Sequence, residues 1–157
     1  GLFSDTPRLY GLAENGDPIK LFENIYNEAQ WSGQVQKMLF LGHGNENGMA
    51  IRFGYSWIQT LGGPPHVMFT AVTVLKIAGQ FEGCKNPKDI FSRQAFVYFL
   101  GCNVGKGLMP LYFALHFLTP NTGSYAGAFA ENVSTWELYM TSMSQTIRSP
   151  YFRKFYP

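Results

Sequence analysis

The sequence predicts an α/β domain with a mostly parallel central sheet flanked by helices. Two short, continuous apolar runs, at 38–41 and 95–100, each stop at a glycine and are typical of buried strands. Segments with apolar residues at helical spacing precede, separate and follow these runs. Alternation of strands and helices is the pattern of a sheet whose parallel strands are joined by crossover helices. We expect residues 1–157 to form a single domain.

The first half of the chain begins with a well-marked helix. Asp17 is a suitable capping residue, Pro18 suits the first helical position, and Gly33 is a plausible end. We expect the first strand next, buried on both faces. After it we expect a polar turn over 45–48, a short return strand over 49–53, a break at 62–65, and a segment from Pro65 to Gly79 that is either a helix or a strand.

The second half is predicted to hold three more helices, the two remaining strands and an aromatic tail that packs or pairs locally. In order, these are a short helix from Asn86-Pro87, a strand over 95–100, a helix over 108–118 with Pro110 in its first turn, a strand over 123–130, a helix opened by the capping pair Ser134 and Glu137, and the tail over 151–156.

The amino-acid composition limits the kinds of protein that this chain can be and the kinds of partner that it can bind. Apolar residues make up 46% and aromatic residues 17%, which suffices for a core, whereas charged residues make up only 14%. The net charge is +2 with scattered basic residues, so we expect no nucleic-acid partner. No apolar run approaches the ~20 residues of a membrane span. We also expect no metal or cofactor, since no Cys/His cluster has zinc-site spacing.

A reactive side chain follows each apolar run, directly after its terminal glycine. His43 follows the first run and Cys102 follows the second. The carboxyl ends of parallel strands meet at one edge of a sheet, so these two side chains should lie close together. A neighbouring imidazole favours the thiolate form of a cysteine and later returns the proton to the leaving group. The sequence therefore predicts a catalytic dyad of His43 and Cys102, with the Gly44 and Cys102 amides as oxyanion donors.

The segments MLFLGHGNENG and FVYFLGCNVGKG resemble the caspase–gingipain–clostripain superfamily of cysteine peptidases and the related toxin autoprocessing domains. The resemblance covers about 37–130 and implies a caspase-like three-layer α/β/α fold. It implies that His43 is the base, that Cys102 is the nucleophile, and that the Gly44 and Cys102 amides form the oxyanion hole. It also implies a substrate pocket near 130–136, where Glu131 and Trp136 are the candidate substrate-binding residues.

The resemblance implies a cysteine endopeptidase that acts on a protein or peptide substrate. The low charge suits a bacterial toxin or effector, secreted or delivered into a target cell. We expect such a domain to be part of a larger polypeptide or to be bound by an inhibitor or immunity partner.

Two other functions remain open at this stage. One is an inactive caspase-like scaffold or interaction module. The other is an amidase or transglutaminase-like acyl-transfer enzyme, which commonly places its cysteine before its histidine, unlike this chain. The remaining titratable residues have simpler structural interpretations. His66 is a loop histidine and the rival candidate for the base, and Cys84 is an incidental thiol that could also form a disulfide with Cys102. His116 is a structural residue, and Glu46 is a solvated carboxylate in a turn.

Overall fold

The computed structural model describes residues 17–50, 68–81, 85–133 and 148–157. Three α-helices, seven strands and two short 3₁₀ helices lie in these ranges. In chain order they are α1 Pro18–Ser32, β1 Val35–Leu41, β2 Gly44–Asn45, β3 Gly48–Ala50, β4 Met68–Thr70, α2 Ala71–Gln80, a 3₁₀ helix Pro87–Ile90, β5 Phe91–Leu100, a 3₁₀ helix Val104–Lys106, α3 Met109–Phe117, β6 Tyr125–Phe129 and β7 Phe152–Phe155.

The main sheet has the strand order β1-β5-β6-β7. β1, β5 and β6 run parallel, and β7 is antiparallel to β6. A second, smaller antiparallel sheet is formed by β2, β3 and β4. The predicted α/β class, with a mostly parallel central sheet flanked by helices, is confirmed.

The three described helices pack on one face of the main sheet. Buried residues of all three helices share one hydrophobic cluster with Phe40 and Phe99 of the sheet. Phe22 of α1 and Phe113 of α3 are fully buried there. The Phe113 and Phe117 rings stack with centroids 4.5 Å apart, and Phe40 and Phe99 of neighbouring strands with centroids 4.8 Å apart. This aromatic packing fixes the helices against the parallel strands.

The opposite face of the sheet carries a second buried aromatic cluster. The hydroxyls of Tyr98 and Tyr125 lie 3.3 Å apart. Burial, and then this hydroxyl contact, raise the pKa of Tyr98 above its usual range, so the phenol is neutral at physiological pH. The buried members of the cluster are Tyr98, Leu100, Tyr125, Phe129 and Phe152.

Several predicted boundaries are confirmed. Asp17 caps α1, its Oδ1 accepting from the amides of Ile19 at 3.0 Å and Lys20 at 3.4 Å, and Gly33 ends the helix. Asn86 caps the short helix predicted from Asn86-Pro87, which is a 3₁₀ helix. The aromatic tail supplies β7, which pairs with β6.

Two expectations need correction. The first strand is not buried on both faces: β1 pairs with β5 alone among the described strands, Phe40 is its one buried residue, and Leu41 is 59% exposed. The segment from Pro65 to Gly79 is neither one helix nor one strand. Its described part is β4 followed by α2, because the Thr70 side chain accepts from the Thr73 amide and starts the helix there.

Other predictions fall outside the described residues. These are the end of the return strand over 51–53, the break at 62–65 and the last helix with its capping pair Ser134 and Glu137. Among the residues that the structure describes, none of the helices is both long enough and apolar enough to cross a membrane.

The Asp17 cap can be tested by urea unfolding. Asp17→Ala removes the acceptor of two amides at the start of α1, and we expect it to lower the free energy of unfolding by about 1 kcal/mol. Asp17→Asn keeps an oxygen acceptor at the same place and should lower the free energy of unfolding by only about a few tenths of a kcal/mol. Equal stability of the two variants would contradict the capping role.

Two glycines provide a matched test of packing. A Cβ on Gly127 would lie 2.9 Å from Phe152 Cε1 and closer still to Cζ, whereas a Cβ on Gly79 in α2 has no atom within 4 Å. We expect Gly127→Ala to destabilise the protein by about 1–3 kcal/mol through overpacking between β6 and β7. Gly79→Ala should stabilise it by up to about 1 kcal/mol. Chemical denaturation measures both, and the reverse order of stability would contradict this packing.

Candidate active site

The pairing of β1 with β5 places His43 and Cys102 at equivalent positions. Leu41 is the partner of Leu100 in the last parallel pair. His43 and Cys102 each lie two residues beyond that pair, at the carboxyl edge of the sheet. The equal offset brings the backbones of the two residues to the same edge of the sheet.

The two loops remain in contact beyond the strand ends. A Cβ built on Gly44 would lie 2.5 Å from Val104 Cγ2 and 3.1 Å from the Cys102 carbonyl oxygen. A Cβ built on Gly101 would lie 2.9 Å from the Gly42 carbonyl oxygen and 3.2 Å from the Gly44 nitrogen. These close approaches leave little room for a larger residue, so the glycines around the two reactive residues allow the backbones to meet.

His43 is exposed and begins a tight hairpin formed by β2 and β3. Its carbonyl oxygen accepts from the Ala50 amide at 2.7 Å. In an antiparallel ladder, hydrogen-bonded and non-hydrogen-bonded pairs alternate, so the next pair, Gly44 with Met49, is non-hydrogen-bonded. The Gly44 N–H therefore points away from β3, as an oxyanion donor must.

Cys102 is a half-buried free thiol held by the segment that follows β6. Its Sγ lies 3.2 Å from the Val133 carbonyl oxygen, to which it donates, and 3.3 Å from the Val133 nitrogen, from which it accepts. The next residue, Asn103, donates from its amide to the Glu131 carbonyl oxygen at 2.8 Å and from Nδ2 to Asn132 Oδ1 at 2.6 Å. The contact between β5 and β6 thus continues past the strand ends.

The two bonds to Val133 differ in what they require of the sulfur. The bond to the carbonyl oxygen needs the thiol hydrogen, whereas the bond from the Val133 N–H needs only a sulfur lone pair.

The other candidate residues are placed less closely. Glu131 is half-buried, its backbone bonds to Asn103, and its carboxylate accepts from Ser149 Oγ at 3.4 Å. His116 lies near the end of α3 and is half-buried. Glu46 is an exposed residue of the hairpin turn, as expected. Trp136, His66 and Cys84 lie outside the described residues.

An open cleft of about 260 Å³ lies between the hairpin that follows His43 and the turn that follows Cys102. Sequence reasoning treated its hairpin side as turn chemistry and overlooked Asn103, Lys106 and Val133. Asn103 alone has a local signal in the sequence, because it directly follows Cys102. Lys106 and Val133 come near the site only through tertiary contacts. The lining residues are Asn45, Glu46, Asn47, Asn103 and Lys106.

In the described ranges, no three His, Cys, Asp or Glu side chains gather as a metal ion would require. The chain was also compared with protein-family models, curated proteins and solved structures, and none of them matches it.

Proposed function

We propose that the protein is a cysteine endopeptidase in which Cys102 is the nucleophile and His43 the general base. The observation that supports this most is the equal offset of the two residues from the Leu41–Leu100 pair. Together with the contacts of Gly44 and Gly101, it brings the backbones that carry an imidazole and a thiol to the same edge of the sheet.

The reaction is an acyl transfer in two halves. His43 takes the thiol proton, and the Cys102 sulfur attacks a peptide carbonyl carbon to form a C–S bond and a tetrahedral oxyanion. The oxyanion collapses, the C–N bond breaks, and the imidazolium gives its proton to the leaving amine. Water, deprotonated by the same imidazole, then hydrolyses the thioester and restores the thiol.

The amides of Gly44 and Cys102 are the oxyanion donors in this proposal. Gly44 fits the role because its N–H points away from β3 and its backbone lies against the Cys102 carbonyl. Two N–H groups fixed by the surrounding backbone stabilise developing negative charge without reorganising during the reaction.

Val133 acts as a positioning residue in the same proposal. Its N–H donates to the sulfur, and its two backbone bonds determine the direction of the Cys102 side chain. Transfer of the thiol proton to His43 breaks the bond to the Val133 carbonyl oxygen and leaves the bond from the Val133 N–H in place.

An interaction module without catalytic activity is the second candidate. The bond from the Cys102 thiol to the Val133 carbonyl oxygen favours it, because that bond directs the thiol hydrogen to the backbone. The two functions differ in the reactivity of Cys102.

Thiol alkylation distinguishes the two functions. We expect iodoacetamide at neutral pH to modify Cys102 faster than free cysteine, and His43→Ala to slow the reaction on the order of tenfold because the base is lost. His116→Gln is the matched control and should leave the rate unchanged. Peptide-level mass spectrometry separates Cys102 from Cys84. A rate like that of free cysteine, insensitive to His43, would favour the interaction module.

Peptide hydrolysis tests the reaction itself. Cys102→Ala and His43→Ala should each reduce cleavage by at least about a hundredfold, since each removes a group that forms or breaks a bond. Gly44→Ala should also reduce it, because its Cβ would meet Val104 and the Cys102 carbonyl. Circular dichroism checks that each variant is folded. Cleavage that survives the loss of Cys102 or of His43 would refute the dyad.

A further inference from the structure

The polar cleft is built from the two loops that carry the reactive pair. Asn45, Glu46 and Asn47 come from the hairpin that follows His43, and Asn103 and Lys106 from the turn that follows Cys102. Asn103 is the immediate neighbour of Cys102, so its Cα lies about 3.8 Å from that of the nucleophile. In the proposed peptidase, a substrate residue beside the scissile bond would extend from the Cys102 loop toward this cleft.

Local contacts hold the walls of the cleft in place. Asn45 Oδ1 accepts from the Asn47 amide at 2.8 Å and fixes the hairpin tip. The Lys106 amide donates to the Asn103 carbonyl oxygen at 3.1 Å and fixes the other wall. The walls also touch, because the backbone of Gly107 packs so closely on the Glu46 carbonyl that a Cβ on Gly107 would overlap it.

The chemistry of the lining is polar and charge-balanced. Three carboxamides supply both donors and acceptors, one carboxylate and one ammonium cancel in net charge, and none of the five lining side chains is purely hydrocarbon. Such a lining satisfies a side chain that both donates and accepts hydrogen bonds. It offers little to an apolar side chain and no net charge that would attract an acidic or a basic one.

We propose that this cleft is a specificity subsite that binds an uncharged polar side chain, Asn, Gln, Ser or Thr, at a position beside the scissile bond. The inference rests on the proposed peptidase function and adds the class of substrate to it. Glu46 and Lys106 set the preference together, each cancelling the attraction that the other exerts on a charged side chain.

The test is a cleavage profile of a diverse peptide library, read by mass spectrometry. For the wild-type protein we expect Asn, Gln, Ser and Thr to be enriched at one position beside the cleaved bond. Lys106→Gln leaves Glu46 uncompensated and should raise Lys and Arg at that position by roughly two- to fivefold. Glu46→Gln should raise Asp and Glu there by a similar factor.

Two control variants carry the same charge changes far from the cleft. Lys88→Gln and Asp89→Asn lie in the 3₁₀ helix before β5, at the opposite end of the strand from Cys102. They should leave the profile as in the wild type. Two results would overturn the subsite and leave the peptidase function intact. One is cleavage without a polar preference, and the other is a cleavage profile that the Glu46 and Lys106 variants change no more than these controls do.

A binding experiment separates failure of the subsite from failure of the peptidase. Peptides from the same library are captured on the Cys102→Ala protein, with and without the added Glu46→Gln or Lys106→Gln change. Suppose that the wild type cleaves no peptide, while the captured peptides show the polar preference and the opposite shifts caused by Glu46→Gln and Lys106→Gln. The subsite is then supported and the peptidase function is refuted. If capture shows no such preference, the subsite is wrong whatever the activity.

Discussion

The parallel pairing of β1 with β5 is the constraint on which the rest of the site depends. The pairing of Leu41 with Leu100 determines which residues of the two following loops lie opposite one another. A register shift of one residue would turn each β1 side chain to the other face of the sheet. Phe40 and Phe99, the preceding pair, stack on the helix-covered face and resist such a slip. Packing of an aromatic pair within the sheet thus determines which residues meet at its edge.

Two further layers of contact hold this edge. On one side, the glycines beside His43 and Cys102 let the loops after β1 and β5 approach one another. On the other side, the segment after β6 is bonded to Asn103 and to the Cys102 sulfur. The cysteine is therefore enclosed by backbone from both neighbouring strands, while His43 remains exposed on the hairpin. One side of the site is therefore hydrogen-bonded backbone, and the other side faces solvent.

Much of this could be predicted from the sequence because the signals are local. Asp17-Pro18 and Asn86-Pro87 start helices through their own chemistry, and the apolar run over 95–100 indicates the central strand β5. The exposed position of β1 could not be predicted, since its apolar run reads like that of a central strand and only the strand order distinguishes the two. The start of α2 depends on Thr70 and Thr73, not on the prolines before them. The polar cleft could not be predicted either, because Lys106 and the hairpin meet only in the folded chain.

The proximity of positions 43 and 102 is the central claim, and a disulfide trap tests it most directly. In a Cys84→Ser background, His43→Cys places a second thiol at the equivalent offset on the neighbouring strand, where strands lie about 4.8 Å apart and a disulfide spans Cα separations of about 4.4–6.8 Å. We expect mild oxidation to join it to Cys102, seen as the loss of two hydrogen atoms in the intact mass and as one crosslinked peptide. Asp89→Cys in the same background, at the far end of β5, should not crosslink. Two free thiols in the His43→Cys protein would contradict the arrangement of the site.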